Sequence, residues 1–158
     1  MRAIVLEAPN RLALRNIPRF ALEADEVMVQ IEACGICGSD LRYYRGENPW
    51  ALHTTGKNLP NPPNIVLGHE FVGRVVETAG PLGCELLGER VSVLPWRACG
   101  RCDDCRHGRP NLCAHTIHYG HGAGWGKRDY YPGGMAEYCP AWADRCYRLP
   151  EDVPAHHA

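Results

Sequence analysis

A mainly β fold, a barrel or sandwich of short strands, is what these 158 residues predict. Three observations carry that reading. Apolar residues alternate at period two over several short stretches. Glycine occurs 17 times and proline 13 times, so turns interrupt the chain often. No internal repeat, heptad pattern or domain linker is visible.

The elements follow in order. Residues 2–6 read as a short strand, and Leu12 and Leu14 mark a second one that Pro18 ends. From Glu26 to Ala33, Val27, Val29, Ile31 and Ala33 share one face while Gln30 and Glu32 share the other. This half-buried strand leads into Cys34-Gly-Ile-Cys37-Gly-Ser-Asp40. One or two helical turns are expected after it, with Ser39 as N-cap. Residues 46–64 are rich in Gly, Pro, Asn and His and read as a long loop. Ile65–Leu67 leads into Gly68-His69-Glu70, and strands are expected over Phe71–Thr78 and Glu89–Leu94. Residues 115–134 read as a surface loop, followed by strands at Gly134–Cys139 and Cys146–Leu149.

Composition excludes several function classes. Formal net charge is −1 with no basic block, so nothing points to nucleic acid. No apolar run approaches the ~20 residues of a membrane span. The N-terminus turns to charge too soon for a signal peptide, so a cytoplasmic protein is expected. Nine cysteines, an odd number without an export signal, fit metal ligands in a reducing compartment better than disulfides.

Cys99, Cys102, Cys105 and Cys113 fall at C-x2-C-x2-C-x7-C spacing. Four thiolates in that pattern can close a tetrahedral structural zinc site. Between Cys99 and Cys113 only Leu112 is a large hydrophobe, so this loop needs a metal to fold. An iron–sulfur cluster is disfavoured, because the last gap is longer than in the bacterial pattern and no Pro follows Cys113. A zinc-ribbon nucleic-acid reading is weakened by Asp103 and Asp104, which offset Arg101, Arg106 and Arg109.

A second constellation is Cys37 with His69-Glu70, each just past or before a strand. Thiolate, imidazole and carboxylate are all zinc ligands. Asp40 can accept the other ring N–H of His69, and Ser39 carries a hydroxyl beside the site. Taken singly, His69 and Cys37 read as ordinary residues, and spacing alone does not choose between Cys34 and Cys37. His53, His107, His115, His118 and His121 read as solvated loop positions.

Taken together, these motifs, with Gly88-Glu-Arg-Val and Gly133-Gly-Met-Ala-Glu-Tyr in the same order, resemble one family. It is the zinc-dependent medium-chain alcohol dehydrogenases, most similar in their polyol, butanediol and threonine dehydrogenase members. The resemblance is to the N-terminal GroES-like catalytic domain and covers nearly the whole of residues 1–158. It implies a partly open β-barrel with few short helices and a structural zinc lobe at residues 95–115. It implies that Cys37, His69 and Glu70 stand at a catalytic zinc, that Cys34 is not a ligand, that Ser39 relays a proton and that Asp40 orients His69. Cys99, Cys102, Cys105 and Cys113 would hold the structural zinc. NAD or NADP, an alcohol or polyol substrate and a homo-oligomer belong to the same implication.

The chain departs from the family in one respect. No G-x-G-x-x-G opens a helix, so the Rossmann cofactor domain is absent; the glycines from Gly120 to Gly126 read as a loop. The family's remaining catalytic zinc ligand, a Glu or Cys, is expected just after residue 158. The expectation is a catalytic-domain portion of an NAD(P) alcohol dehydrogenase, inactive alone. The alternative is a stand-alone, non-catalytic zinc-binding GroES-like module.

Overall fold

In the computed structural model, which describes all 158 residues apart from the side chain of Thr55, the chain is mainly short strands with a few short helices, as the sequence predicts, and every strand ladder is antiparallel. A three-stranded sheet has the order β2 (Arg11–Asn16), β1 (Arg2–Ala8), β4 (Ile65–Val66). The main sheet runs β10 (Cys146–Arg148), β6 (Arg90–Val93), β5 (Glu70–Thr78), β3 (Glu26–Gly35), β9 (Tyr138–Trp142). A two-stranded ribbon pairs β7 (Trp96–Arg97) with β8 (Ile117–His118).

The stretch before β9 joins the two larger sheets. Ile4 N–H donates to Met135 O at 2.9 Å, Glu137 N–H to Arg2 O at 3.0 Å, and Ile31 N–H to Glu137 O at 3.0 Å. The result is a partly open barrel rather than a closed one. Its core is the face predicted for β3: Val27 and Val29 are fully buried with Phe71, Val75, Val91 and Trp142. Gln30 and Glu32 face solvent, as the alternation requires. Two irregularities in the β3–β5 pairing, at Met28/Val29 and Ile31/Ala33, bend the ladder towards its far end.

Four expectations are corrected. The 46–64 loop contains helix α2 (Pro49–Thr55), which follows α1 (Gly38–Tyr44). Asn48 caps α2 through Ala51 N–H at 3.0 Å, Pro49 presets the first turn, and Gly56 closes it at φ 69°. Polar start and stop residues outweighed the lack of an apolar stripe. The N-cap of α1 is Cys37, not Ser39. The strand expected at Gly134–Cys139 begins only at Tyr138 and runs to Trp142, because the residues before it bond to β1 and to Leu67 instead.

The fourth correction is the largest. Residues 115–134 are not a surface loop: Thr116, Tyr119, His121 and Tyr131 are buried. Tyr119 packs at a tilt against Trp125 and Trp142 in the main core, so the segment is a wall of the barrel. Its glycines suggested a surface loop, whereas they permit close backbone approach. A Cβ on Gly120 (φ 79°) would lie 2.7 Å from Gly68 O and 3.1 Å from His69 Cβ.

Candidate metal centres

The first centre lies in a loop with almost no apolar content of its own, around a one-turn helix, α3 (Asp103–Arg106). Cys102 caps that helix and Cys113 is buried beneath it. The Sγ atoms of Cys102 and Cys105 are 3.4 Å apart, those of Cys102 and Cys113 3.7 Å, and those of Cys113 and Cys99 3.5 Å. A tetrahedron of Zn–S bonds of ~2.3 Å has S···S edges of about 3.8 Å, and disulfide sulfurs would be ~2.0 Å apart. The donor set therefore fits zinc. The N–H groups of Cys99 and His115 both donate to Cys113 Sγ at 3.4 Å. N–H groups at Arg101 and Cys102 bring Cys99 down to about 6, while burial among the other thiols pushes Cys105 up to about 12. Such a set gives up its last protons readily only to a cation.

The second centre is assembled by strand register. Gly35 pairs with Glu70 and Cys34 with Phe71 across β3 and β5. The strand pair therefore ends where Cys37, two residues beyond Gly35, meets His69, one residue before Glu70. One donor atom from each of Cys37, His69 and Glu70 lies within 4.8 Å of the others. Zinc bonded at ~2.0–2.3 Å would draw such donors to within about 4 Å of one another, so a modest side-chain closure suffices. Three protein donors also match an open rather than a closed site.

Asp40 ties the two arms of this centre together. Its buried carboxylate accepts Cys37 N–H at 2.8 Å and Gly68 N–H at 3.2 Å, and Oδ1 lies 3.5 Å from His69 Nδ1. Ser39 Oγ is 3.2 Å from His69 Nε2. Burial works against a charge on His69, but the neighbouring Asp40 carboxylate and Cys37 thiol outweigh it and push the imidazole up to about 9. Burial also opposes the charge on Asp40, yet His69 and the N–H of Cys37 hold its carboxyl below the usual range. Hydrogen bonds from Ser39, then contact with His69, lower the Cys37 thiol. The three neighbours thus shift one another in the sense that favours the charged form of each.

Cys34 faces the other way. Its thiol is pushed up to about 12, first by burial and then by Asp40 and Glu70, and it donates to Gly35 O at 3.5 Å. It packs against Gly68 (φ 88°), where an added Cβ would lie 2.5 Å from Cys34 Sγ. Of the two cysteines that spacing left open, Cys37 falls in the donor cluster with His69 and Glu70, and Cys34 is not among its members.

Two residues read as solvated loop histidines pack beside this centre, His121 buried and His118 partly buried. His121 stacks between Tyr43 (4.8 Å) and His118 (4.6 Å) and meets His69 edge-on at 5.6 Å. Its Nδ1 is buried without a hydrogen-bond partner. Burial keeps both rings neutral, lowering His118 to about 4 and His121 further. The signal available in sequence was the density of Trp, Tyr and His among these glycines.

Among the described residues no helix is long and apolar enough to cross a membrane. Comparison with known proteins places these features in a family. The model of the alcohol dehydrogenase GroES-like domain matches residues 23–151. An alcohol dehydrogenase of Geobacillus stearothermophilus is 37% identical over 153 residues, 96% of this chain and 40% of that protein. An L-threonine 3-dehydrogenase of Xanthomonas axonopodis pv. citri is 32% identical over 159 residues, covering 100% of this chain and 42% of the relative. Among solved structures, the rspB alcohol dehydrogenase of Escherichia coli CFT073, complexed with NADH, aligns with a TM-score of 0.77 at 35% identity, over 100% of this chain and 41% of that one. A zinc-binding dehydrogenase of Sinorhizobium meliloti 1021, bound to NADP, aligns with a TM-score of 0.78 at 31% identity, over 98% and 40%. The chain spans about 40% of the length of the curated relatives it matches. With its antiparallel barrel and two thiolate-bearing centres, the chain belongs to the alcohol dehydrogenase GroES-like domain family.

Proposed function

We propose that residues 1–158 are the catalytic-domain portion of a zinc-dependent NAD(P) alcohol dehydrogenase, with a structural zinc lobe at residues 95–115. The observation that carries this reading is the convergence of Cys37, His69 and Glu70 donors within 4.8 Å, with the Ser39 hydroxyl 3.2 Å from His69 Nε2. Cys37, His69 and Glu70 hold the catalytic zinc, and Cys99, Cys102, Cys105 and Cys113 the structural one. When bound, zinc and a nicotinamide supply Lewis-acid polarisation of an alcohol oxygen and a hydride acceptor.

The chain's own residues do the rest. Asp40, facing Nδ1, fixes the tautomer of His69 so that Nε2 points into the donor set. Ser39 Oγ stands beside that set and would relay the proton that an alcohol must lose, accepting it while its own O–H proton passes on to solvent. No parallel βαβ unit occurs among the described residues, so nothing in them positions a nicotinamide. The 158 residues by themselves are therefore inactive.

The test is metal uptake. Stripped protein should take up two equivalents of zinc, and the Cys37→Ala variant one, by elemental mass spectrometry. Equal uptake by both would remove the catalytic centre from these residues. NAD(P)-dependent turnover by the pure chain would refute its proposed inactivity.

A further inference from the structure

We infer that His121 is a positioning residue: it fixes the plane of the His69 imidazole, and so the direction in which Nε2 presents itself to a metal. That His69 is a zinc ligand rests on the dehydrogenase reading above; that His121 holds its ring rests on the contacts around it.

Polar contacts alone hold the His69 ring loosely. Nδ1 lies 3.5 Å from Asp40 Oδ1, beyond the ~3.2 Å of a well-formed N–H···O bond, and it is buried without a closer partner. The 3.2 Å contact of Nε2 with Ser39 Oγ is given up when that nitrogen meets a metal. Packing supplies the remaining constraint. His121 meets His69 with ring centres 5.6 Å apart and planes at 78°, an edge-to-face arrangement that aromatic rings prefer. Turning His69 about its Cβ–Cγ bond spoils that contact.

His121 is itself held on every side. Tyr43 stacks on it at 4.8 Å and His118 at 4.6 Å. Tyr43 belongs to α1, the helix that also carries Asp40, so one helix braces both supports of His69. The backbone before His121 is pinned: Tyr119 N–H donates to Pro95 O at 2.9 Å and Gly120 N–H to Pro132 O at 2.8 Å. His118 N–H donates to Ala123 O at 3.3 Å and closes the turn. The close approach of Gly120 to Gly68 presses this turn against the segment that carries His69. Nδ1 of His121 is buried without a partner, so the side chain contributes a flat ring rather than a hydrogen bond through that atom. A phenyl ring at position 121 should therefore serve as well.

The experiment compares the unaltered chain with His121→Ala, His121→Leu and His121→Phe. In stripped protein, nuclear magnetic resonance follows the ring protons of His69. The unaltered chain and His121→Phe should show one sharp set, shifted by the facing ring. His121→Ala and His121→Leu should lose that shift. Cobalt(II) is then added, and the visible difference spectrum of the second equivalent reports ligand geometry at the Cys37–His69 centre. His121→Phe should match the unaltered chain. His121→Ala and His121→Leu should differ from it and bind that equivalent about tenfold more weakly, the scale of lost support behind a metal ligand. A purely structural role would lower stability in the variants and leave the spectrum of the folded protein unchanged. That result would overturn the inference, as would unshifted His69 signals in the leucine variant, or a phenylalanine variant that behaves like alanine. Leucine keeps the bulk without the ring plane, so unfolding of His121→Ala does not remove the test. Uptake of one cobalt by the unaltered chain would defeat the catalytic-zinc reading instead, and the ring signals, which need no metal, would then decide the inference.

Discussion

The carboxylate of Asp40 in α1 and the backbone N–H of Gly68, just before β5, are joined by a buried 3.2 Å hydrogen bond across 28 residues of sequence. With the 2.8 Å bond to Cys37 N–H, it sets the separation of Cys37 from His69. Removing the carboxylate in Asp40→Ala leaves two partly or fully buried donors unpaired, at about 1–3 kcal/mol each. It also releases Nδ1 of His69, and loss of such a partner typically lowers zinc affinity by about 10–100-fold. Asp40→Asn keeps an acceptor without the charge, and should recover stability more than affinity. Denaturant unfolding and competition with a chromophoric chelator measure the two separately. An unchanged second-site affinity in Asp40→Ala would contradict the role given to Asp40.

Two opposite pH slopes follow from His69. Its folded value of about 9 lies above the ~6.5 of an unfolded chain. The metal-free protein therefore holds this proton more tightly when folded. The stabilisation is fully present below about pH 6.5 and is lost as pH rises through about 9. Zinc must displace the same proton, so second-site affinity rises over that range, by up to about tenfold per pH unit. Unfolding of stripped protein and zinc titration between pH 6.5 and 9.5 should run in opposite directions. A flat affinity profile would show that His69 is not a ligand.

Ser39 is the leading cause of the lowered Cys37 thiol. In stripped protein, Cys37 should be alkylated by iodoacetamide with a midpoint below the ~8.5 of a free cysteine. Ser39→Ala should move that midpoint up, because the thiolate loses its nearest donor. Peptide mapping by mass spectrometry follows Cys37 apart from the other eight cysteines. An identical profile in the variant would place Ser39 too far from the thiol to serve the site.

Much of this was legible because it is written locally. The alternation of Val27, Val29 and Ile31 follows from strand geometry, and the four-cysteine spacing from zinc geometry. Cys37 and His69 were visible as types, but their meeting depends on the register of β3 on β5, which no local pattern encodes. Helix α2 escaped because its residues form no apolar stripe, although Asn48-Pro49 and Gly56 mark its ends. The 115–134 segment misled for a physical reason. Glycine serves exposed turns and tight backbone contacts alike, and Gly120 against Gly68 is the second kind. The inward placing of His121, with His118 partly covered beside it, goes with that contact, so it could not be read before the contact was known.

The four-cysteine lobe should melt separately from the barrel. Leu112, its large hydrophobe, is half exposed, so burial contributes little to holding the loop. Structural zinc in comparable peptides contributes an apparent ~10–16 kcal/mol at neutral pH, far more than the loop supplies. Cys105→Ser, or chelation, should abolish hydrogen-exchange protection over residues 99–113 while β3 and β5 stay protected. The ribbon of β7 and β8 flanks the lobe and carries Trp96 and His118. Tryptophan emission should therefore shift to the red as the lobe opens, with the main sheet still folded. Simultaneous loss of protection in the lobe and in β3 would show one cooperative unit, with the zinc site part of the barrel rather than an appendage to it.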